Sequence, residues 1–106
     1  MMLSEQEFRV KSDQALTAAR QKLLPLADQE GFELELQNGV LDLVFEEPRE
    51  SKFVVSPNAP VRQIWVSAMA RSYKLAWSPE RQVFALDGET LPQLLERLTN
   101  TFLHRA

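Results

Sequence analysis

The sequence predicts an α+β fold: a two-layer α-β sandwich in which two terminal helices pack on one face of an antiparallel sheet of about six strands. Three observations predict it. Apolar residues recur at helical spacing near both ends of the chain and alternate at strand spacing in between. The strand candidates are separated by short turns of Asn, Gly, Pro, Ser and charged residues, the mark of an antiparallel meander. Two amphipathic helices must bury their stripes, and a sheet apolar on one face offers the place while its other face stays in water.

The first helix opens with a capping box, Ser4 and Glu7. Phe8, Ser12, Ala15, Ala19, Leu23 and Leu26 follow at steps of three and four, and Pro25 and Gly31 bracket its end. FELELQNGVLDLVFEE then alternates strictly, with Phe32, Leu34 and Leu36 on one face and Glu33, Glu35 and Gln37 on the other; Asn38-Gly39 between the two runs signals a hairpin. Further strands are expected at 52–56, 63–67, 73–77 and 82–85. In QIWVS, Ile64 and Val66 point one way and Gln63, Trp65 and Ser67 the other. Burying Trp65 would expose Ile64 and Val66 together, so Trp65 is expected to face water, with Arg62 or Tyr73 as the neighbours over which its ring would otherwise lie. Thr90 and Gln93 repeat the capping logic, and Leu91, Leu94, Leu95, Leu98 and Phe102 form the stripe of a second helix.

Composition narrows the function. A chain of 106 residues, 44% hydrophobic and 25% charged, is read as one domain over residues 1–106 with an ordinary globular core. Without cysteine it holds no disulfide, thiolate metal site or thiol nucleophile. The first thirty residues carry Glu5, Glu7, Arg9, Lys11 and Asp13, so a signal peptide is not expected, nor is any apolar run long enough for a membrane span; the expected location is the cytoplasm. The three glycines are all accounted for by turns, which excludes a phosphate-cradling loop. The one histidine, His104, excludes a Ser-His-Asp triad and a histidine-rich metal centre within one chain. No spacing marks a buried acid beside a base, so no catalytic residues are assigned.

The net charge of −3 is uneven: residues 1–50 hold eleven Asp/Glu against five Lys/Arg, and residues 51–106 hold four against seven. Acids run through Asp28, Glu30, Glu33 and Glu35, with Asp13 on the first helix and Glu46, Glu47 and Glu50 at the far end of the hairpin. Glu33 and Glu35 share one strand face, roughly 7 Å apart. Such a surface is either a solvated face or a patch that attracts cations or a basic protein; net acidity argues against nucleic acid.

The stretches LELQNGVLDLVFE, SPNAPVRQIWVSAMARSYKLAW and DGETLPQLLERL resemble the frataxin family in its bacterial form, over almost the whole chain. The resemblance implies the frataxin α-β sandwich and a role in iron-sulfur cluster assembly, with ferrous or ferric iron bound weakly and exchangeably on an acidic ridge, and with the cysteine desulfurase and the scaffold protein as partners of a monomer. By that resemblance Asp13, Glu33, Glu35 and Glu46 are ridge acids, Trp65 is the family's exposed tryptophan, and Asn58 and Gln63 belong to its surface motif. Where bacterial relatives carry paired acids late in the first helix, this chain has Arg20, Gln21, Leu24 and Pro25, which thins the ridge; Asp28 and Glu30 replace those charges only in part, from the following loop, and Arg20 and Lys22 repel a cation. Gln82 occupies the place of a second tryptophan. The implied metal set is Asp13, Asp28, Glu30, Glu33, Glu35 and Glu46; the implied partner set is Glu33, Glu35, Asn58, Gln63 and Trp65. Two other functions remain open at this level: a ferroxidase acting at the acidic patch, and a protein-interaction adaptor using the Trp65 sheet face.

Overall fold

A computed structural model describes residues 3–104. Helix α1, Glu5–Glu30, starts at the predicted capping box: Ser4 Oγ accepts from the Glu7 amide at 3.1 Å while Glu7 Oε1 accepts from the Ser4 amide at 2.9 Å. Its buried stripe is Phe8, Ser12, Leu16, Ala19, Leu23 and Ala27, so the expected Ala15 and Leu26 lie beside the stripe, half-buried. Pro25 does not help to end the helix. It sits exposed inside it and removes one amide donor, and the helix continues to Gly31, whose left-handed conformation (φ 83°) lets its N–H donate to Ala27 O at 2.8 Å. Asp28 and Glu30 are therefore helical residues, not loop residues.

Among the described residues the sheet has seven strands in sequence order, each antiparallel to the next: β1 Glu33–Gln37, β2 Val40–Phe45, β3 Ser51–Asn58, β4 Gln63–Ala68, β5 Arg71–Ser78, β6 Val83–Leu86 and β7 Glu89–Thr90. A 3-10 turn, Ala59–Val61, connects β3 to β4. The strand beyond the six expected is β7, formed when Asp87 and Gly88 (φ 51° and 83°) turn the chain back so that Leu86 faces Glu89 and Ala85 faces Thr90. Asn38-Gly39 makes the same kind of turn (φ 53° and 75°) between β1 and β2. Helix α2, Leu91–His104, is capped by the preceding Thr90, whose amide donates to Gln93 Oε1 at 2.9 Å. Beside it Arg97 donates to both carboxylate oxygens of Glu89 (2.8 and 3.0 Å), tying α2 to β7.

Both helices lie on one face of the sheet. Leu41, Leu43, Phe45, Phe53, Val55, Ile64, Val66 and Leu75 rise to meet Leu94, Leu95, Leu98 and Phe102 of α2 and the α1 stripe. The helices run in the same sense, since Glu30 near the end of α1 is 3.8 Å from His104 at the end of α2. Among the described residues no helix is long and apolar enough to cross a membrane.

Candidate functional site

The predicted residues fall into two groups. On the outer face of the sheet, Glu33 and Glu35 project into solvent from the edge strand β1, alternating with the half-buried Leu34 and Leu36 that face the helices. The two-residue turn fixes the register: Gln37 faces Val40, Leu36 faces Leu41, and Glu35 therefore faces Asp42 of β2. Asp42 shares the outer face with both glutamates, because directly opposed residues of an antiparallel pair point the same way. Sequence reasoning did not assign Asp42 to the ridge, although counting outward from Asn38-Gly39 locates it. Lys52 of β3 approaches it at 4.0 Å and offsets part of its charge.

The remaining acids are scattered. Asp13 borders a shallow depression beside Gly39, Pro57 and Ala59, at the turn end of the β1–β2 hairpin. Glu46 follows Phe45 at the other end of β2. Asp28 and Glu30 are two residues apart on a helix and so point to different sides. Asp28 is exposed, whereas Glu30 is half-buried and directed at His104 of α2 rather than at β1. Among the described residues no three carboxylate or histidine side chains converge as a group able to hold a metal ion. The donors are hard oxygens suited to an oxophilic cation, without a preassembled cage; a cation here would gather side chains that start apart.

The second group lies nearer the middle of the same face. Ile64 and Val66 are fully buried, as predicted, and Trp65 is on the opposite side. It is half-buried rather than open to water. Its indole Nε1 donates to Gln63 Oε1 at 2.9 Å, and Lys74 of β5, directly opposite, holds its ammonium 4.9 Å from the ring centroid. Neither Arg62 nor Tyr73 is the neighbour that covers the ring. Tyr73 pairs with Val66 and packs toward the core, and Arg62 folds back to donate to the carbonyls of Leu3 and Ala59. Asn58, the last residue of β3, faces Gln63 across the β3–β4 pair, so Asn58, Gln63 and Trp65 form one contiguous patch.

One register row joins the two groups: Glu35, Asp42, Val54, Ser67 and Ser72 follow one another across β1 to β5, and Trp65 stands two residues from Ser67 on the same side. With strands about 4.8 Å apart, the acidic edge and the indole are separated by roughly 15 Å. That separation is within the width of a standard protein–protein interface.

The chain matches the family model of the frataxin-like domain over residues 1–105. It is 31% identical to the iron-sulfur cluster assembly protein CyaY of Pseudomonas syringae pv. syringae, over 93% of this chain and 88% of that protein. It is 33% identical to the protein of the same name from Pseudomonas aeruginosa, over 77% of this chain and 78% of that one. Among solved structures it superimposes on the frataxin of Psychromonas ingrahamii with a TM-score of 0.69 at 19% identity, covering 94% of this chain and 91% of the other; that likeness speaks to the fold.

Proposed function

The chain belongs to the frataxin family, and from that premise we propose that it serves iron-sulfur cluster assembly as a binding protein: it docks on the cysteine desulfurase and its scaffold protein and carries iron weakly as cargo. Glu33, Glu35 and Asp42 supply the negative edge that attracts a basic partner surface and gather around ferrous or ferric iron. Trp65, braced by Gln63 and Lys74, supplies a rigid aromatic anchor beside Asn58. The observation that carries the reading is the placement of these two groups on one uninterrupted sheet face, opposite to both helices.

The test is reconstituted cluster formation with purified desulfurase, scaffold protein, ferrous iron and cysteine, followed by the absorbance of the growing cluster. Added protein changes the rate in a dose-dependent way, and the Glu33→Lys/Glu35→Lys variant loses that effect. An unchanged rate at saturating protein would remove the proposed role.

A further inference from the structure

On the helix side of the molecule, away from the Trp65 face, a groove of about 330 Å³ opens between α1, the β5–β6 hairpin and the start of α2. Lys11, Ala15, Ala18 and Lys22 line it at steps of four, three and four, which places them in one stripe along α1. The two alanines leave the depression and the two lysines stand at its ends, about 16 Å apart along the helix axis. The rest of the lining is mainly apolar, chiefly Trp77, Phe84 and Leu91, with the uncharged polar side chains of Gln14, Gln82 and Thr90 among them. The Lys11 ammonium is 5.6 Å from the centroid of the Trp77 ring.

The electrostatics of this groove oppose those of the chain as a whole. The protein carries a net charge of −3, yet no aspartate or glutamate lines the groove, and among the described residues neither lysine forms an ion pair. The wall beside Leu91 is the first turn of the 14-residue α2, whose positive end adds to the lysine potential. Asp13 lies on the other flank of α1, by Gly39 and Pro57. Cations alone would suit any anion, and an apolar floor alone any hydrophobic body; the two together select a ligand that has both.

We propose that this groove is a binding site for a small amphipathic anion, whose ring or branched aliphatic body rests on Ala15, Ala18, Trp77 and Leu91 while a carboxylate, sulfonate or phosphate meets Lys11 or Lys22. The volume stands at the small end of ligand pockets and limits the body to one or two rings. The inference is independent of the docking role assigned to the sheet face.

The test uses 8-anilinonaphthalene-1-sulfonate as probe and a Trp65→Phe background, in which Trp77 is the remaining tryptophan. Saturable one-to-one binding with quenching of Trp77 emission by energy transfer to the dye is expected. Lys11→Glu/Lys22→Glu weakens binding by about tenfold or more, and the uncharged N-phenyl-1-naphthylamine binds about tenfold more weakly than the sulfonate. Ala18→Phe, which keeps both lysines but fills the floor from an exposed position, abolishes binding. Circular dichroism melts establish that each variant is folded, and if the double lysine variant fails to fold, Ala18→Phe and the uncharged dye decide. No saturable binding at millimolar dye, equal affinity across these comparisons, or fluorescence that rises only as the protein unfolds would overturn the proposal.

Discussion

Replacing Trp65 by alanine separates the contribution of this residue to stability from its contribution to docking, because its half-buried position fixes what the fold alone loses. A large aromatic buries 150–250 Å² when fully covered, and about two-thirds of that, near 130 Å², is at stake here; at roughly 25 cal/mol/Å², reduced by about a third for residual burial in the unfolded chain, this is about 2 kcal/mol. The partly buried Nε1 bond to Gln63 and the Lys74 ammonium over the ring each add about 0.5 kcal/mol. The expected loss is about 2.5–3 kcal/mol. Ile64→Ala, on the buried side of the same strand, is expected to lose about 3–4 kcal/mol, within the range for buried aliphatic truncation. Urea denaturation followed by circular dichroism reads both; with a slope near 1.3 kcal/mol/M, Trp65→Ala lowers the midpoint by about 2 M. A loss below about 0.5 kcal/mol would show that the ring makes no energetically useful contact with the sheet, and a loss exceeding that of Ile64→Ala would show that Trp65 is a core residue. If Trp65 is the docking anchor proposed above, the folded variant also binds the desulfurase-scaffold complex more weakly by on the order of 2 kcal/mol.

Other perturbations have equally definite outcomes. Thr99 is fully buried on α2 and its hydroxyl has no hydrogen-bond partner, so Thr99→Val should raise stability by about 0.5–1 kcal/mol in urea denaturation; a decrease would mean the hydroxyl is bonded in solution. The hydrogen bonds from Arg97 hold the Glu89 carboxyl below its usual 4.5, so their stabilisation is present above pH 4.5 and is lost as pH falls through the lower folded value. Arg97→Gln should therefore cost about 0.5 kcal/mol at pH 7, and the gap to wild type should close in melts carried progressively below pH 4.5; a gap constant with pH would discount the pair. Asp42→Asn should weaken ferrous iron binding at least about twofold in anaerobic calorimetry while changing stability by less than about 0.5 kcal/mol, and unchanged affinity would remove Asp42 from the iron-carrying set.

The order of elements was legible because its signals are local: two capping boxes, two helical stripes and strictly alternating strands are each written within a dozen residues. Strand β7 escaped because two residues show no alternation, although Asp87-Gly88 carries the same turn chemistry as Asn38-Gly39. Pro25 misled because proline is penalised inside helices, whereas this exposed proline loses one amide bond and the buried Leu23 and Ala27 on either side hold the helix together. The side on which Trp65 sits followed from strand periodicity. Its half-burial did not, because Lys74 reaches it from a neighbouring strand whose register is a tertiary fact. Glu30 shows the same limit: adjacency in sequence grouped it with Glu33 and Glu35, yet helix geometry turns it toward α2. The frataxin-like resemblance named the right family; that Asn58, Gln63 and Trp65 share one side of the sheet is a matter of strand register.

The central claim is that the acidic edge of β1 steers this protein onto the cysteine desulfurase, and the association rate measured against ionic strength tests it most directly. Wild-type protein and the Glu33→Lys/Glu35→Lys variant are mixed with purified desulfurase over a series of salt concentrations. The wild-type rate should fall steeply as salt is added; the variant should associate on the order of tenfold more slowly at low salt and converge on wild type at high salt, where the screening length shrinks from about 10 Å at 0.1 M to about 3 Å at 1 M. Equal rates for the two proteins at every ionic strength would contradict the claim and leave Glu33 and Glu35 as solvated surface.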